Sequence, residues 1–469
     1  MQSRGRTVRT GAQRAAIFAV LCALVVCINA CDAGIEPAAT PYMTPDAQDA
    51  VELSAPHDTA PADLPASTSG GTAAPESAAP PYEPISMRAV WVASVLNIDF
   101  PSEQGRDEEA LKAEFLQILD NAKAWNLDAV LVQVRPMGDA LYRSELNPWS
   151  SFLTGTQGAD PGWDPLEFMV SEAHDRGLQF HAWLNPYRVT HPGSGFTTQD
   201  FAEDSFAAQH PDWLITHEGY TYLDPGREEV KQHIAETVRE IVDGYDVDGI
   251  HFDDYFYPSE YPLPDGAERD GYIDMERRAN INDMLRRVSV VCREADHPVV
   301  FGVSPFGIWK NASSDPAGSD TQGAESYYDT AADSVRWIRE GIIDYIAPQL
   351  YWPIGHSRAD YETLVEWWAD QVRGTDVSLL IGQGVHDSEV IPDLLNELEL
   401  NLQFPEVTGS IYFSYADLAG NPVLADTIKA FYEVHPEAGM LTDAAAASPT
   451  YGAPDSERSS APDSSGAAS

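Results

Sequence analysis

One feature constrains this 469-residue chain more than any other, and it is an alternation. Between about residues 85 and 435, short apolar runs rich in β-branched and aromatic residues are each followed by an amphipathic window of helical period. The strand candidates are 88–94, 129–136, 179–188, 249–257, 299–307, 345–352, 377–384 and 409–415. The helical windows are 108–125, 165–176, 227–242, 274–295, 331–340, 360–373, 389–402 and 421–432. Strands that read as near-continuous apolar runs belong in a parallel sheet covered on both faces. Eight such units over about 350 residues predict an α/β fold, a (β/α)8 TIM barrel with long insertions in its βα loops. A doubly wound open sheet is the runner-up. Ala93-Ser94-Val95-Leu96 follows the first strand where that fold would carry a glycine-rich phosphate loop, which weakens a dinucleotide reading.

The flanks carry other signals. Arg4, Arg6, Arg9 and Arg14 precede an apolar run from Ala15 to Ile28, too short to cross roughly 30 Å of hydrocarbon and suited to the core of a secretion signal. Ile28-Asn29-Ala30-Cys31 resembles a bacterial lipobox. Residues 1–30 are therefore expected to be a lipoprotein signal peptide, and Cys31 to be acylated and to hold the chain on a lipid membrane. An ordinary signal peptide with a chance Cys31 is the alternative. Residues 31–84, rich in Ala, Pro, Thr, Ser and acids, read as a disordered tether, and 436–469 as a disordered tail. The body is then 85–435, and the expected address is exported, membrane-attached and extracytoplasmic. Cys22, Cys27 and Cys31 fall in or beside the signal and only Cys292 in the body, so no disulfide framework is expected.

Charge narrows the partners. With 74 acidic against 28 basic residues the formal charge is -46, which argues against nucleic acid and against unaided adsorption to an anionic membrane. Only Lys112, Lys123, Lys231, Lys310 and Lys429 are lysines, so most cations are Arg, the type suited to planar hydrogen-bonded recognition. The 11 Trp hint at a carbohydrate binder.

A barrel builds its active site at the C-terminal ends of its strands. Those ends are polar and aromatic here: Gln133 and Arg135 on the second, His181, Asn185, Tyr187 and Arg188 on the third, Asp253, Asp254 and Tyr255 on the fourth, and Gln349, Tyr351 and Trp352 on the sixth. A polar group in an apolar strand costs about 1–3 kcal/mol if unpaired, so the ring of them favours a solvated pocket. Alternation through Ile250 and Phe252 puts His251, Asp253 and Tyr255 on the lumen face and leaves Asp254 opposite unless the strand has ended. Asp253 is the first choice for catalysis, with Asp254, Asp139, Asp224 or Glu260 as a second carboxyl group. Glycoside hydrolysis uses two. A helix cap, a metal ligand or an Arg-paired structural acid would also account for the pair.

These stretches carry a resemblance. Arg88 to Val92, Gln133 to Pro136, His181 to Arg188, Leu223 to Gly226, Val247 to Pro258, Gly302 to Trp309 and Asp344 to Trp352 together resemble the bacterial glycosyl-hydrolase-like family 10 proteins, over about Ser86 to Tyr432. The resemblance implies a barrel enzyme of the cell envelope that hydrolyses glycosidic bonds, with peptidoglycan glycan strands as substrate class. Strands lacking stem peptides are the expected preference, because strand-end insertions and the strong negative charge disfavour bulky acidic peptides, while Arg135 or Arg188 is placed to receive the lactyl carboxylate that remains. A non-catalytic glycan-binding protein, or a hydrolase of a capsular or scavenged polysaccharide, is the alternative. The fourth-strand run also resembles the family 18 chitinase signature, but His251 and Tyr255 stand where two of its carboxylates would be. Gln133, Arg135, His181, Asn185, Tyr187, Arg188, Asp224, Tyr255, Trp309, Gln349, Tyr351 and Trp352 are the expected substrate contacts. For Trp149, Trp163, Trp213, Trp309 and Trp352, loop packing fits equally well. No His/Cys cluster has zinc spacing and no acidic loop matches an EF-hand, so no metal and no cofactor is called for.

Overall fold

The computed structural model describes residues 84–439. Its barrel strands are β1 (Met87–Val92), β2 (Ala129–Arg135), β3 (Gln179–Leu184), β4 (Gly249–Phe252), β5 (Val300–Val303), β6 (Tyr345–Ile346, resuming at Gln349–Leu350), β7 (Ser378–Gln383) and β8 (Val407–Tyr412). Each pairs with the next in parallel, and β8 pairs with β1, so the sheet closes into the expected barrel. Helices return outside it. Several start where side chains satisfy their free N–H groups: Asp107 accepts from Ala110, Asp360 from Thr363, and Asp164 and Asn421 each precede a proline in the first helical turn.

The alternation of each strand sorts two cores. Outward residues such as Val90, Val132, Ala182, Ile250, Phe252 and Ile381 join the helices in the main core. Inward residues Met87, Ala89, Trp91, Leu131, Trp183, Tyr345, Leu380 and Ile411 fill the lumen. Two lumen positions require glycine by close approach. A Cβ on Gly249 would stand 2.4 Å from His181 Nδ1, and one on Gly302 would stand 2.0 Å from the Tyr345 ring.

Several strands end sooner than their apolar runs predict, the third, fourth and fifth by the most. The third stops at Leu184, because Pro186 has no N–H to continue the ladder. Arg188–Thr190 instead joins Tyr220–Leu223 and Leu214–His217 in a small antiparallel sheet beside the barrel mouth. The fourth stops at Phe252.

The packed chain also runs past the expected boundary at 435. Ala438 is buried, its carbonyl accepts Arg88 Nε at 2.6 Å, and the same guanidinium bonds Pro436 O and lies 4.6 Å over the Tyr432 ring. The expected signal peptide, Cys31, the expected tether up to residue 83 and the expected tail from 440 lie outside the described residues. Among the described residues no helix is long and apolar enough to cross a membrane, and Cys292 is a buried free thiol.

Candidate active site

Because β4 ends at Phe252, alternation no longer separates the two acids that follow it, and both sit at the barrel mouth. Asp253 is buried. Its Oδ2 accepts Trp183 Nε1 and Asn185 Nδ2, each at 3.1 Å, and its Oδ1 accepts the Tyr255 N–H at 3.4 Å. An indole nitrogen donates only, and so does a backbone N–H. Asn185 is fixed as a donor too, since its Oδ1 already accepts the Arg188 N–H at 2.9 Å. Asp253 therefore faces donors at these contacts. Burial pushes its pKa up, while Arg188 and the three donors pull against that push.

Asp254 is partly buried and differs. Burial, with the Asp253 charge next, raises its pKa to about 7 against the opposing contact of Gln349. A pair with donors crowded on one member holds its charge there, so near neutral pH Asp253 carries the charge and Asp254 the proton. Such a pair can give a proton to a departing oxygen and hold a negative charge beside the carbon it leaves.

Aromatic walls flank the pair. Tyr351, close enough to feel the Asp254 charge, stacks on Phe413 with ring centres 6.2 Å apart, and His386 stands edge-on to both. On the other side the Arg188 guanidinium lies 4.4 Å over the Tyr255 ring. Tyr222 and Tyr220 of the small sheet continue that wall. Apolar sugar faces stack on such rings.

The remaining predicted contacts divide. Gln349 donates to Ser304 O at 2.9 Å and lies against Asp254. Trp352 covers Gly307. Arg135, however, is 1 % exposed: Nε donates to Asn147 and Nη1 to Asn185 O and Pro186 O, so it ties down the loop that carries Asn185 instead of facing the pocket. Arg188 is committed to Pro136 O through Nε and Nη2 and acts on the acids by charge. Gln133 is fully buried and its Oε1 accepts Ser94 and Val95 N–H, fixing the loop after β1. Tyr187 packs in the main core. Asp224 closes a turn through the Gly226 N–H, Glu260 is exposed, and buried Asp139 accepts the Met137 N–H. Trp309 stacks on Trp367 and meets Tyr327 edge-on, within the loop after β5.

His181 lies below the pocket, in a lumen chain whose proton positions follow from its ends. The Trp91 indole donates to His251 Nε2 at 3.1 Å, so His251 Nδ1 carries the hydrogen and donates to Tyr345 OH at 2.9 Å. Tyr345 in turn donates to His181 Nδ1 at 3.2 Å, and His181 Nε2 donates to Gln179 Oε1 at 3.3 Å. Burial keeps both rings neutral, with His181 lowered to about 4 and His251 well below its ordinary value.

Sequence reasoning missed Trp183, Phe413 and His386. The period-two rule that puts His181 in the lumen puts Trp183 there as well. Nothing comparable marks the other two, which follow strand ends. Among the described residues no group of three or more His, Cys, Asp or Glu is arranged to hold a metal ion.

Sequence comparison relates the chain to known proteins. The profile of a family described as glycosyl hydrolase-like 10 matches residues 86–393. Glycosyl hydrolase YngK of Bacillus subtilis is 42% identical over 356 residues, which cover 72% of this chain and 69% of that protein. Glycosyl hydrolase DigH of Escherichia coli K12 is 38% identical over 362 residues, covering 70% and 82%. Among solved structures, the PgaB (BpsB) glycoside hydrolase domain from Bordetella bronchiseptica aligns with a TM-score of 0.49 at 15% identity, over 74% of this chain and 98% of that one.

Proposed function

Because the chain belongs to the glycosyl hydrolase-like 10 family and is a glycoside hydrolase, we propose that it cleaves N-acetylated glycan strands of the peptidoglycan class, best where stem peptides have been removed. The observation that carries the reading is the acid pair between aromatic walls. Asp254 protonates the glycosidic oxygen as the bond breaks, and Asp253 stabilises the positive charge that develops at the anomeric carbon or orients the group that attacks it. The loops around the mouth obstruct the bulk of stem peptides, and a protein of net charge -46 repels their acidic groups; stripped strands keep a lactyl carboxylate, so access is the stronger half of the argument. Arg135 and Arg188, each committed to backbone carbonyls, do not offset that repulsion.

Incubating the purified protein with peptidoglycan before and after amidase treatment, with products separated by mass, tests the substrate. Greater release from the amidase-treated strands is expected. Equal release from both would remove the preference, and release from neither, with activity on a capsular or scavenged polysaccharide, would replace the substrate class. The proposed address is the extracytoplasmic face of a membrane, through acylated Cys31. Its support is the basic, apolar and small-residue pattern before that Cys. Metabolic lipid labelling should mark the wild type and not Cys31→Ala; equal labelling would refute the anchor.

A further inference from the structure

The geometry points to Trp183 as the positioning residue that holds the charge of the acid pair on Asp253 and its proton on Asp254, an assignment that rests on the acid-pair reading above. Trp183 enters the lumen from β3 and reaches across to the residue after β4, with Nε1 at 3.1 Å from Asp253 Oδ2. Its indole can donate and cannot accept, so the contact favours Asp253 only while Oδ2 carries no proton. The ring has little freedom to leave. It stands edge-on to His251, with centres 6.5 Å apart, and His251 is stacked on Tyr345 at 5.9 Å and bonded to it.

The other groups facing Asp253 are Asp254 from the next residue, the Arg188 guanidinium and the Asn185 amide from beyond β3, the Tyr255 N–H, and neutral His251 beneath. Arg188 also braces Pro136 and covers Tyr255, and Asn185 also fixes the Arg188 backbone. Trp183 contributes a donor alone, with no charge and no second hydrogen bond. Its replacement by Phe keeps a ring against His251 and removes that donor.

The experiment is the pH dependence of kcat/KM for the wild type, Trp183→Phe and Trp91→Phe, with thermal melts to verify folding. Trp91 is the second lumen indole, donating to His251 and not to the acids, so its loss removes the same kind of bond from the same interior. The acidic limb, where Asp253 takes up a proton, should move to higher pH by about one unit in Trp183→Phe. The alkaline limb should stay in place, because Asp253 is ionised on both sides of it. In Trp91→Phe neither limb should move. The wild type offers a second measurement: the Trp183 indole N–H resonance should titrate with the acidic limb. A folded Trp183→Phe whose profile coincides with the wild type, an equal shift in both variants, or a flat Trp183 resonance overturns the proposal. Asp253→Asn and Asp254→Asn separate it from the reading beneath. If both retain near-normal turnover, the acid pair itself is wrong; if both are inactive and the Trp183→Phe profile does not move, only the role of Trp183 falls.

Discussion

Asn185 binds Asp253 with an amide that has no freedom to turn over: Oδ1 accepts the Arg188 N–H at 2.9 Å, which leaves Nδ2 to donate to Asp253 at 3.1 Å. A tight turn after β3 thereby adds one fixed donor to those that favour the ionised form of an acid after β4. Asn185→Asp reverses the sign of that one contact at nearly constant shape. Two carboxyl groups then face each other, and one must hold a proton. We expect kcat/KM at pH 8 to fall by about tenfold or more, with partial recovery toward pH 5, where the introduced carboxyl becomes a donor. A pH–rate profile parallel to the wild type would show that this contact does not govern the acid pair.

The two acids should separate by leaving group. Asp254 is the proton donor, and its pKa, raised to about 7, keeps most of it protonated at acidic pH and up to that value. Activity on glycan should therefore fall as pH rises through about 7. Asp254→Asn should lower glycan turnover by about 10²–10⁴-fold. It should regain most of its rate on an aryl glycoside whose phenolate departs without a proton. Asp253→Asn should be slow on both substrates. An Asp254→Asn enzyme that stays inactive on the activated substrate, beside an Asp253→Asn enzyme that recovers, would exchange the roles.

Much of this was legible in the chain, and the limits have physical causes. Eight parallel strands could be read because burial on both faces makes each a continuous apolar run. The same continuity hid where strands end: His181 to Arg188 reads as one segment, yet the ladder stops at Leu184 and the chain crosses to the small sheet. The acids after β4 could be located, but not their division of labour, which depends on Trp183 and Asn185, about seventy residues earlier. Arg135 and Gln133 show the opposite failure. Polar residues on interior strands were read as pocket lining, and the fold uses them to satisfy loop backbone beneath it.

Glu397 offers a stability test away from the site. It is fully buried in the helix Leu394–Asn401, and burial, with Asp393 second, raises its pKa to about 9. The unfolded chain titrates it near its ordinary value of 4.5. Above that value the unfolded state loses the proton and the folded state keeps it, so this contribution to stability falls as pH rises from about 4.5 until it levels off near 9. Glu397→Gln removes the titration while preserving the shape. Thermal melts of variant and wild type should agree near pH 4, and the variant should be more stable at pH 8, by an amount on the order of a few kcal/mol. Parallel melting curves from pH 4 to 9 would show that Glu397 does not titrate this way.

Gly302 tests the lumen that carries the site. A Cβ there would fall 2.0 Å from Tyr345 Cζ and 2.2 Å from both Cε atoms, and that ring is held on two sides by His251 and His181. It cannot swing away without leaving two buried imidazole nitrogens unpaired. Gly302→Ala should therefore cost about 3 kcal/mol or more, the sum of overpacking and lost hydrogen bonds. Tyr345→Phe removes only the hydroxyl and should cost about 1–3 kcal/mol. Because both changes act through one ring, the double variant should be less destabilised than the sum of the two, and denaturant melts of all three measure that coupling. Gly420→Ala is the contrast: a Cβ there meets nothing within 4 Å, so it should change stability by less than about 1 kcal/mol. If Gly302→Ala were as mild as Gly420→Ala, the Tyr345 ring would have room to move, and the lumen could not be the rigid base that holds Trp183 against Asp253.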